Sequence, residues 1–384
     1  GHITTLLTAI ILFYFGLGPV LGFATTQILG ILLSLFCGIL ISRLVTDFWT
    51  KKQRHFEYFT SVSKRIFKHA NFKFIEYRKV AYIISVVVLV LGVGSFFNGF
   101  DQGVEYKGGR SYTVRFDTPT QNEKIRESLK ASFGEYPVLK TVGDNKTLNI
   151  TTSFMIDNPS KSADSTVEVA LYNGLKESLP SGLSYADFKK SYKQSSQTVQ
   201  PSISDDLKKG AVKATIFAII AIFLYIFLRF RDWRYSMGTI IALLHDVFVT
   251  LAVFSFLKGV VPFPLEIDQH FIAAILTVIG FSMNDTVIVF DRIREYSGKM
   301  KSEPKGVIIN KAINETLSRT IMTSLTVFLT LLILFIFGGE VTRGFAFAML
   351  IGVVTGTYSS IFVAAPVLVD IAKDKPLGSG TTKK

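Results

Sequence analysis

The chain has 384 residues, 49% of them hydrophobic, with a mean hydropathy of +0.39 and a formal charge of +13. Apolar runs of about 20 residues, the length a bilayer requires, recur along it, which excludes an ordinary water-soluble globule. A single cysteine, Cys37, excludes a disulfide framework.

In chain order, the first apolar runs lie near 3–20 and 24–45. Gly1 and His2, without an initiator Met, read as a processed or vector-derived start. Residues 11–38 match residues 333–360 without a gap: Gly16 pairs with Gly338, Phe23 with Phe345, Ala24 with Ala346 and Gly30 with Gly352, and Ile-Leu-Phe-x-Phe-Gly opens both copies. Self-similarity at a fixed offset marks a duplication. Only the last part of the first copy falls here, so most of one repeat is expected upstream of Gly1.

A basic linker, 50–79, leads to a span near 80–99. Residues 101–208 are polar, with 14 acidic and 14 basic side chains. Apolar and polar residues alternate over Ser111–Phe116 and Thr147–Phe154, which predicts strands, and helical spacing covers Asn122–Phe133 and Thr166–Leu179. These elements predict a small α+β domain with helices on one face of a sheet. Pro201–Ser204 reads as a hinge, with Asp205 and Asp206 placed to cap the next helix. Five further spans follow near 211–230, 236–257, 270–290, 320–337 and 345–370, making eight apolar runs with the first the least complete. The expected organisation is therefore 1–49, two spans; 50–79, linker; 80–100, one span; 101–208, soluble domain; 209–370, a five-span bundle; and 371–384, a tail.

Lys and Arg number ten in 43–79, three in 229–235, seven in 291–319 and four in 371–384, against zero, one and one in the loops 16–24, 258–268 and 338–344. The positive-inside rule puts the first set in the cytoplasm and 101–208 on the outer side. The net charge is thus a topology signal, and no nucleic-acid partner is expected.

Ionisable groups at membrane depth are expensive in hydrocarbon, so each is a functional candidate. Asp285 lies about fifteen residues into its run, beside Asn284 and Thr286; burial favours a neutral carboxyl and a nearby cation restores its charge, so the group can exchange a proton. Arg319 is the expected partner, heading a helical stripe of Thr323, Thr326 and Thr330 that lines a polar path. His245 and Asp246 stand mid-span; adjacent helical residues diverge by about 100°, so one can carry protons while the other fixes a neighbouring helix. Asp291, Arg292, Arg294 and Glu295 read as an interfacial ion-pair face, and Gly352-x-x-x-Gly356 as a close helix contact. There is no nucleophile–base pairing, metal-ligand spacing or phosphate loop, so neither catalysis nor a cofactor or metal is expected.

Gly103-Val-Glu-Tyr-Lys-Gly108-Gly109, His245-Asp246-Val247, the run from Ile279 through Asn284-Asp285-Thr286 to Glu295, and Leu317-Ser-Arg319-Thr-Ile-Met-Thr-Ser324 resemble SecF, and Ile3–Trp49 resembles the last two spans of SecD. The resemblance covers nearly the whole chain and is that of a SecDF fusion entered inside its SecD half. It implies a polytopic α-helical membrane protein with a transmembrane bundle of the resistance-nodulation-division (RND) type and a small α+β periplasmic domain, in the bacterial inner membrane. It further implies an accessory of the Sec translocon that uses ion flow, proton or sodium, to move its periplasmic domain and draw preprotein outward. The SecY/SecE/SecG channel, YajC, emerging unfolded preprotein and the lipid bilayer are the implied partners. Asp285 and Arg319 match the family's relay positions, whose SecD-half counterpart is expected upstream. Two other readings stand beside this one: an RND-type small-molecule or lipid exporter, which predicts a large apolar pocket between outer domains, and a scaffold that docks on the translocon without moving ions.

Overall fold

The computed structural model describes residues 2–16, 19–51, 70–142, 145–158, 161–199, 201–261, 263, 265–338 and 340–372. Among these, seven helices are long and apolar enough to cross a membrane, and the shorter apolar helix α1 (His2–Phe15) precedes them. Helix α2 (Pro19–Leu35) continues through a π-helical stretch, Phe36–Ile41, to Thr50, and α3 covers Arg78–Asn98. Gly99, at φ +76°, ends α3, a conformation open to glycine at little cost.

The sheet domain follows. Its elements are β1 (Asp101–Gln102), β2 (Gly109–Arg115), α4 (Asn122–Phe133), β3 (Val138–Thr141), β4 (Thr147–Thr152), α5 (Lys161–Leu175) and β5 (Lys193–Val199). Strands β2 to β5 form one antiparallel sheet in the order β3-β4-β2-β5, with Ser111 opposite Thr151 and Tyr112 opposite Ile150. Alternation sorts the faces: Tyr112, Val114, Leu148 and Ile150 are buried against Leu129 of α4 and Leu171 of α5, whereas Ser111, Thr113, Asn149 and Thr151 make a polar face. Arg110, only 2% exposed, is held by Asp164 (2.6 Å) and by the Phe154 carbonyl (3.1 Å). The sheet has two more strands than the sequence predicts.

The bundle comprises α6 (Pro201–Phe230), α7 (Trp233–Phe256), a two-residue strand β6 (Glu266–Ile267), α8 (Gln269–Lys299), α9 (Lys305–Phe337) and α10 (Glu340–Ser359), the last running on through a π-helical turn, Ser360–Ala364, to Ala372. Helix α8 is central and buried along most of its apolar length, whereas most of the apolar length of α9 is exposed. Two expectations are corrected. Pro201 starts α6 directly, because a proline at the first helical position loses no intrahelical hydrogen bond, so Pro201–Ser204 is the first turn and no hinge. Asp205 and Asp206 then lie inside the helix and do not cap it. The apolar run expected near 320–337 forms the second half of α9, whose polar first half begins at Lys305.

Candidate functional site: buried carboxyl groups at the centre of the bundle

Asp285 and Asp246 are both fully buried, at 0% exposure, on the packed faces of α8 and α7. Glycines bring the neighbouring helix in. A Cβ at Gly356 would come within 2.8 Å of Ser282 Cβ, and one at Gly352 would run into the Val278 side chain, so α10 sits directly on α8 as the Gly-x-x-x-Gly spacing suggests. That approach delivers the Ser359 hydroxyl to Asp246 and the Thr357 hydroxyl to Ser324, the donor to Asp285.

Asp246 Oδ2 accepts from Ser282 (2.7 Å) and from Ser359 of α10 (2.8 Å), and its Oδ1 lies 3.3 Å from His245 Nδ1. The His245 ring, 2% exposed, stacks on Tyr358 with centroids 5.7 Å apart. Both neighbours on α7 therefore reach α10, through different contacts. Asp285 Oδ2 accepts from Ser324 of α9 (3.2 Å), which is itself joined to Thr357 of α10 (2.6 Å), while Asp285 Oδ1 has no partner among the described residues. Thr286 turns from its neighbour to the Ser282 carbonyl (3.2 Å) and Ser360 (2.8 Å), and Asn284 is half-buried. A hydroxyl network thus links four helices around two carboxyl groups.

Arg319 is exposed and, among the described residues, makes no ion pair with Asp285, although its charge is near enough to act on the carboxylate. Ser324, five residues further along α9, makes the direct contact. Five residues is about 7.5 Å of helix rise between the backbone positions of Arg319 and Ser324. Thr323, Thr326 and Thr330 follow along α9, each donating to its own helix backbone at 2.8–3.0 Å, which leaves hydroxyl oxygens free to accept. Thr323 is half-buried, whereas Thr326 and Thr330 are exposed. Asp291, Arg294, Arg229, Arg292 and Glu295 form exposed ion pairs at the far end of α8. Ser282, Ser324, Thr357, Ser359 and Ser360 were not singled out by sequence reasoning; a signal existed for Ser282, inside the quoted run from Ile279, and for Ser324, which closes the quoted Ser-Arg-Thr motif.

Residues 183–374 match the family model described as protein export membrane protein SecD/SecF, C-terminal, and residues 93–120 match the SecD/SecF GG motif. The chain is 42% identical over 310 residues to protein translocase subunit SecF of Rhodothermus marinus, covering 80% of this chain and 95% of that one. It is 34% identical to protein translocase subunit SecDF of Brucella abortus over 96% of this chain, and spans 46% of that relative. The crystal structure of SecDF, a translocon-associated membrane protein from Thermus thermophilus, superposes with a TM-score of 0.78 at 30% identity, covering 96% of this chain and 47% of that one. The chain therefore spans about half the length of the SecDF relatives it matches. With the GG motif running from the end of α3 through β2 and the C-terminal model across the bundle, this chain belongs to the SecD/SecF family of multi-pass inner-membrane protein-export proteins.

Proposed function

We propose that this chain is the SecF-like part of an accessory to the Sec translocon, with an ion-motive force driving its sheet domain, on the periplasmic side, to promote preprotein translocation. The observation that carries the reading is the contrast between the two buried carboxylates: Asp246 has both oxygens engaged, whereas Asp285 accepts from Ser324 at one oxygen and its other oxygen has no partner among the described residues. A bare buried acceptor costs about 1–3 kcal/mol, a cost that protonation or an arriving water or ion relieves. Asp285 is thus the exchanging group, Ser324 and Thr323 flank it, Arg319 biases its charge from nearby, and His245 and Asp246 set the packing of α7 on α10. Neutralising Asp285 removes an electrostatic pull between α8 and α9 and shifts a two-state packing of the bundle. One charge crossing 100 mV supplies about 2.3 kcal/mol, so several ions accompany each polypeptide. The SecY/SecE/SecG channel and YajC are the proposed docking partners and emerging unfolded preprotein the proposed client.

The exporter alternative lacks support. A cavity of about 930 Å³ lies between the sheet and the mouth of the bundle, but Glu105, Lys107, Glu123, Arg126 and Lys140 line it, a polar surface unsuited to lipids or apolar drugs.

The deciding experiment is ion flux through the full-length protein in sealed vesicles under an imposed proton gradient, with a sodium gradient as the parallel arm. Asp285→Asn is expected to abolish flux and Arg319→Ala to lower it at least about tenfold. Undiminished flux in Asp285→Asn sinks the motor reading and leaves a docking scaffold.

A further inference from the structure

The sheet domain meets the bundle at a contact besides its two covalent connections. Asp101 and Gln102 of β1 pair in parallel with Glu266 and Ile267 of β6, just ahead of α8. The Gly103 N–H donates to the Ile267 carbonyl (2.9 Å), and a Cβ on Gly103 would lie 2.6 Å from Asp268 Cβ, so only glycine allows this approach. Beside it, Lys140 Nζ on β3 lies 2.7 Å from Glu266 Oε2, with the two side chains 20% and 11% exposed. Glu105 and His270 complete the group, and Asp268 caps α8 through the Phe271 N–H (2.7 Å), with His270 Nδ1 3.4 Å from its carboxylate.

Most surface ion pairs contribute little, because water screens them and both side chains lose freedom. This one is largely withdrawn from water, and loss of either member strands a charge. Three carboxylates face one lysine here. Burial pushes Glu266 and Glu105 above the usual carboxylate range; it also opposes the Lys140 charge, but Glu266, Asp268 and Glu105 outweigh it and hold the ammonium.

Geometry gives the pair its meaning. Glu266 stands two residues before the cap of α8, and Asp285 lies on the same unbroken helix, about 24 Å along it from Gln269. Helix α8 is therefore a rod with the exchanging carboxyl at its middle and the grip of Lys140 at its outer end. We infer that the Lys140–Glu266 ion pair is the positioning contact that makes the sheet domain follow α8. The inference rests on the motor reading above.

The test uses the full-length protein with Lys140→Glu, Glu266→Lys and the double exchange. Amide hydrogen exchange at Gly103 and along β3 is expected to quicken at least about tenfold in each single variant and to return close to wild type in the double. Ion flux, the measure of an intact bundle, is expected within about twofold of wild type throughout, while proton-driven export falls at least about tenfold in the singles and recovers in the double. A structural contact alone would not separate flux from export. Unchanged exchange in the singles overturns the contact; quickened exchange with full export, or a double variant that recovers neither, overturns its coupling role. If wild type itself shows no proton-dependent export, the motor reading and the coupling role fail together, and the exchange measurement still decides the contact.

Discussion

A carboxyl group in a bilayer interior is held by what its oxygens find, and Asp246 and Asp285 find different things. Asp246 receives two serine hydroxyls at one oxygen and faces His245 Nδ1 with the other, so Asp246→Asn, which keeps only one acceptor oxygen, forfeits one of these two sets of contacts. The expected cost is about 2–3 kcal/mol, seen as a lower Tm in detergent. Asp285→Asn keeps an amide oxygen that can accept from Ser324, so stability is expected to change by less than about 1 kcal/mol while flux disappears. Ser324→Ala takes away that donor and is expected to lower flux about tenfold without unfolding the bundle. If Asp246→Asn stops flux at an unchanged Tm while Asp285→Asn lowers Tm, the two roles are exchanged.

At the scale of elements, the junction of β1, β3 and β6 with α8 carries a pH dependence whose sign is not intuitive. Glu266 and Glu105 are pushed above their usual 4.5, mainly by burial. A group raised in the docked state adds stability that is complete below its undocked value and is lost as pH climbs through the docked one. Docking is therefore expected to be firmer near pH 5 than near pH 8, although acid removes one charge of the Lys140 pair. Asp268 lies in burial that opposes its charge, but His270, Lys140 and the Phe271 N–H hold it below 3.8, so it opposes docking only in stronger acid. The check is the protection factor of the Gly103 amide across this range; a fall in protection toward pH 5 contradicts the assignment. Legibility in the sequence follows the same physics. Asn122–Phe133 is read to the residue because Ile125, Leu129 and Phe133 repeat at helical spacing onto the core. Strand β5 is invisible because Lys-Gln-Ser-Ser-Gln-Thr lies exposed along a sheet edge with no apolar alternation, and β3 is only four residues long. Asp285 and His245-Asp246 stand out against an apolar run, whereas Ser359 and Ser360 find Asp246 and Thr286 only when Gly352 and Gly356 bring α10 onto α8, and Ser324 finds Asp285 only when α9 packs on α8, so these partners are set by tertiary contact.

At the scale of the whole molecule, the internal repeat becomes contact. Helices α1 and α2 correspond to the end of α9 and the start of α10, and equivalent positions meet: the rings of Phe23 and Phe345 pack edge to face with centroids 5.5 Å apart. Both Gly16 and Gly338 close a helix by donating N–H to the carbonyl four residues back, of Leu12 and Leu334. Helix α1 also lies on α8, where a Cβ at Gly280 would come within 2.8 Å of the Thr8 hydroxyl, five residues from Asp285. The copies differ at one informative pair. Gly352 is pressed on Val278, whereas a Cβ at its repeat equivalent, Gly30, meets nothing within 4 Å among the described residues. Overpacking typically costs about 1–3 kcal/mol, so Gly352→Leu is expected to lower Tm and flux together, and Gly30→Leu to leave this 384-residue chain unaffected. Performed in the full-length protein, the same Gly30→Leu substitution becomes a probe of the repeat itself. If the duplication is structurally symmetric, a helix equivalent to α8 lies against Gly30, and the substitution costs as much there as Gly352→Leu does. A harmless Gly30→Leu in the full-length protein means that the two copies share a sequence pattern but not a packing partner.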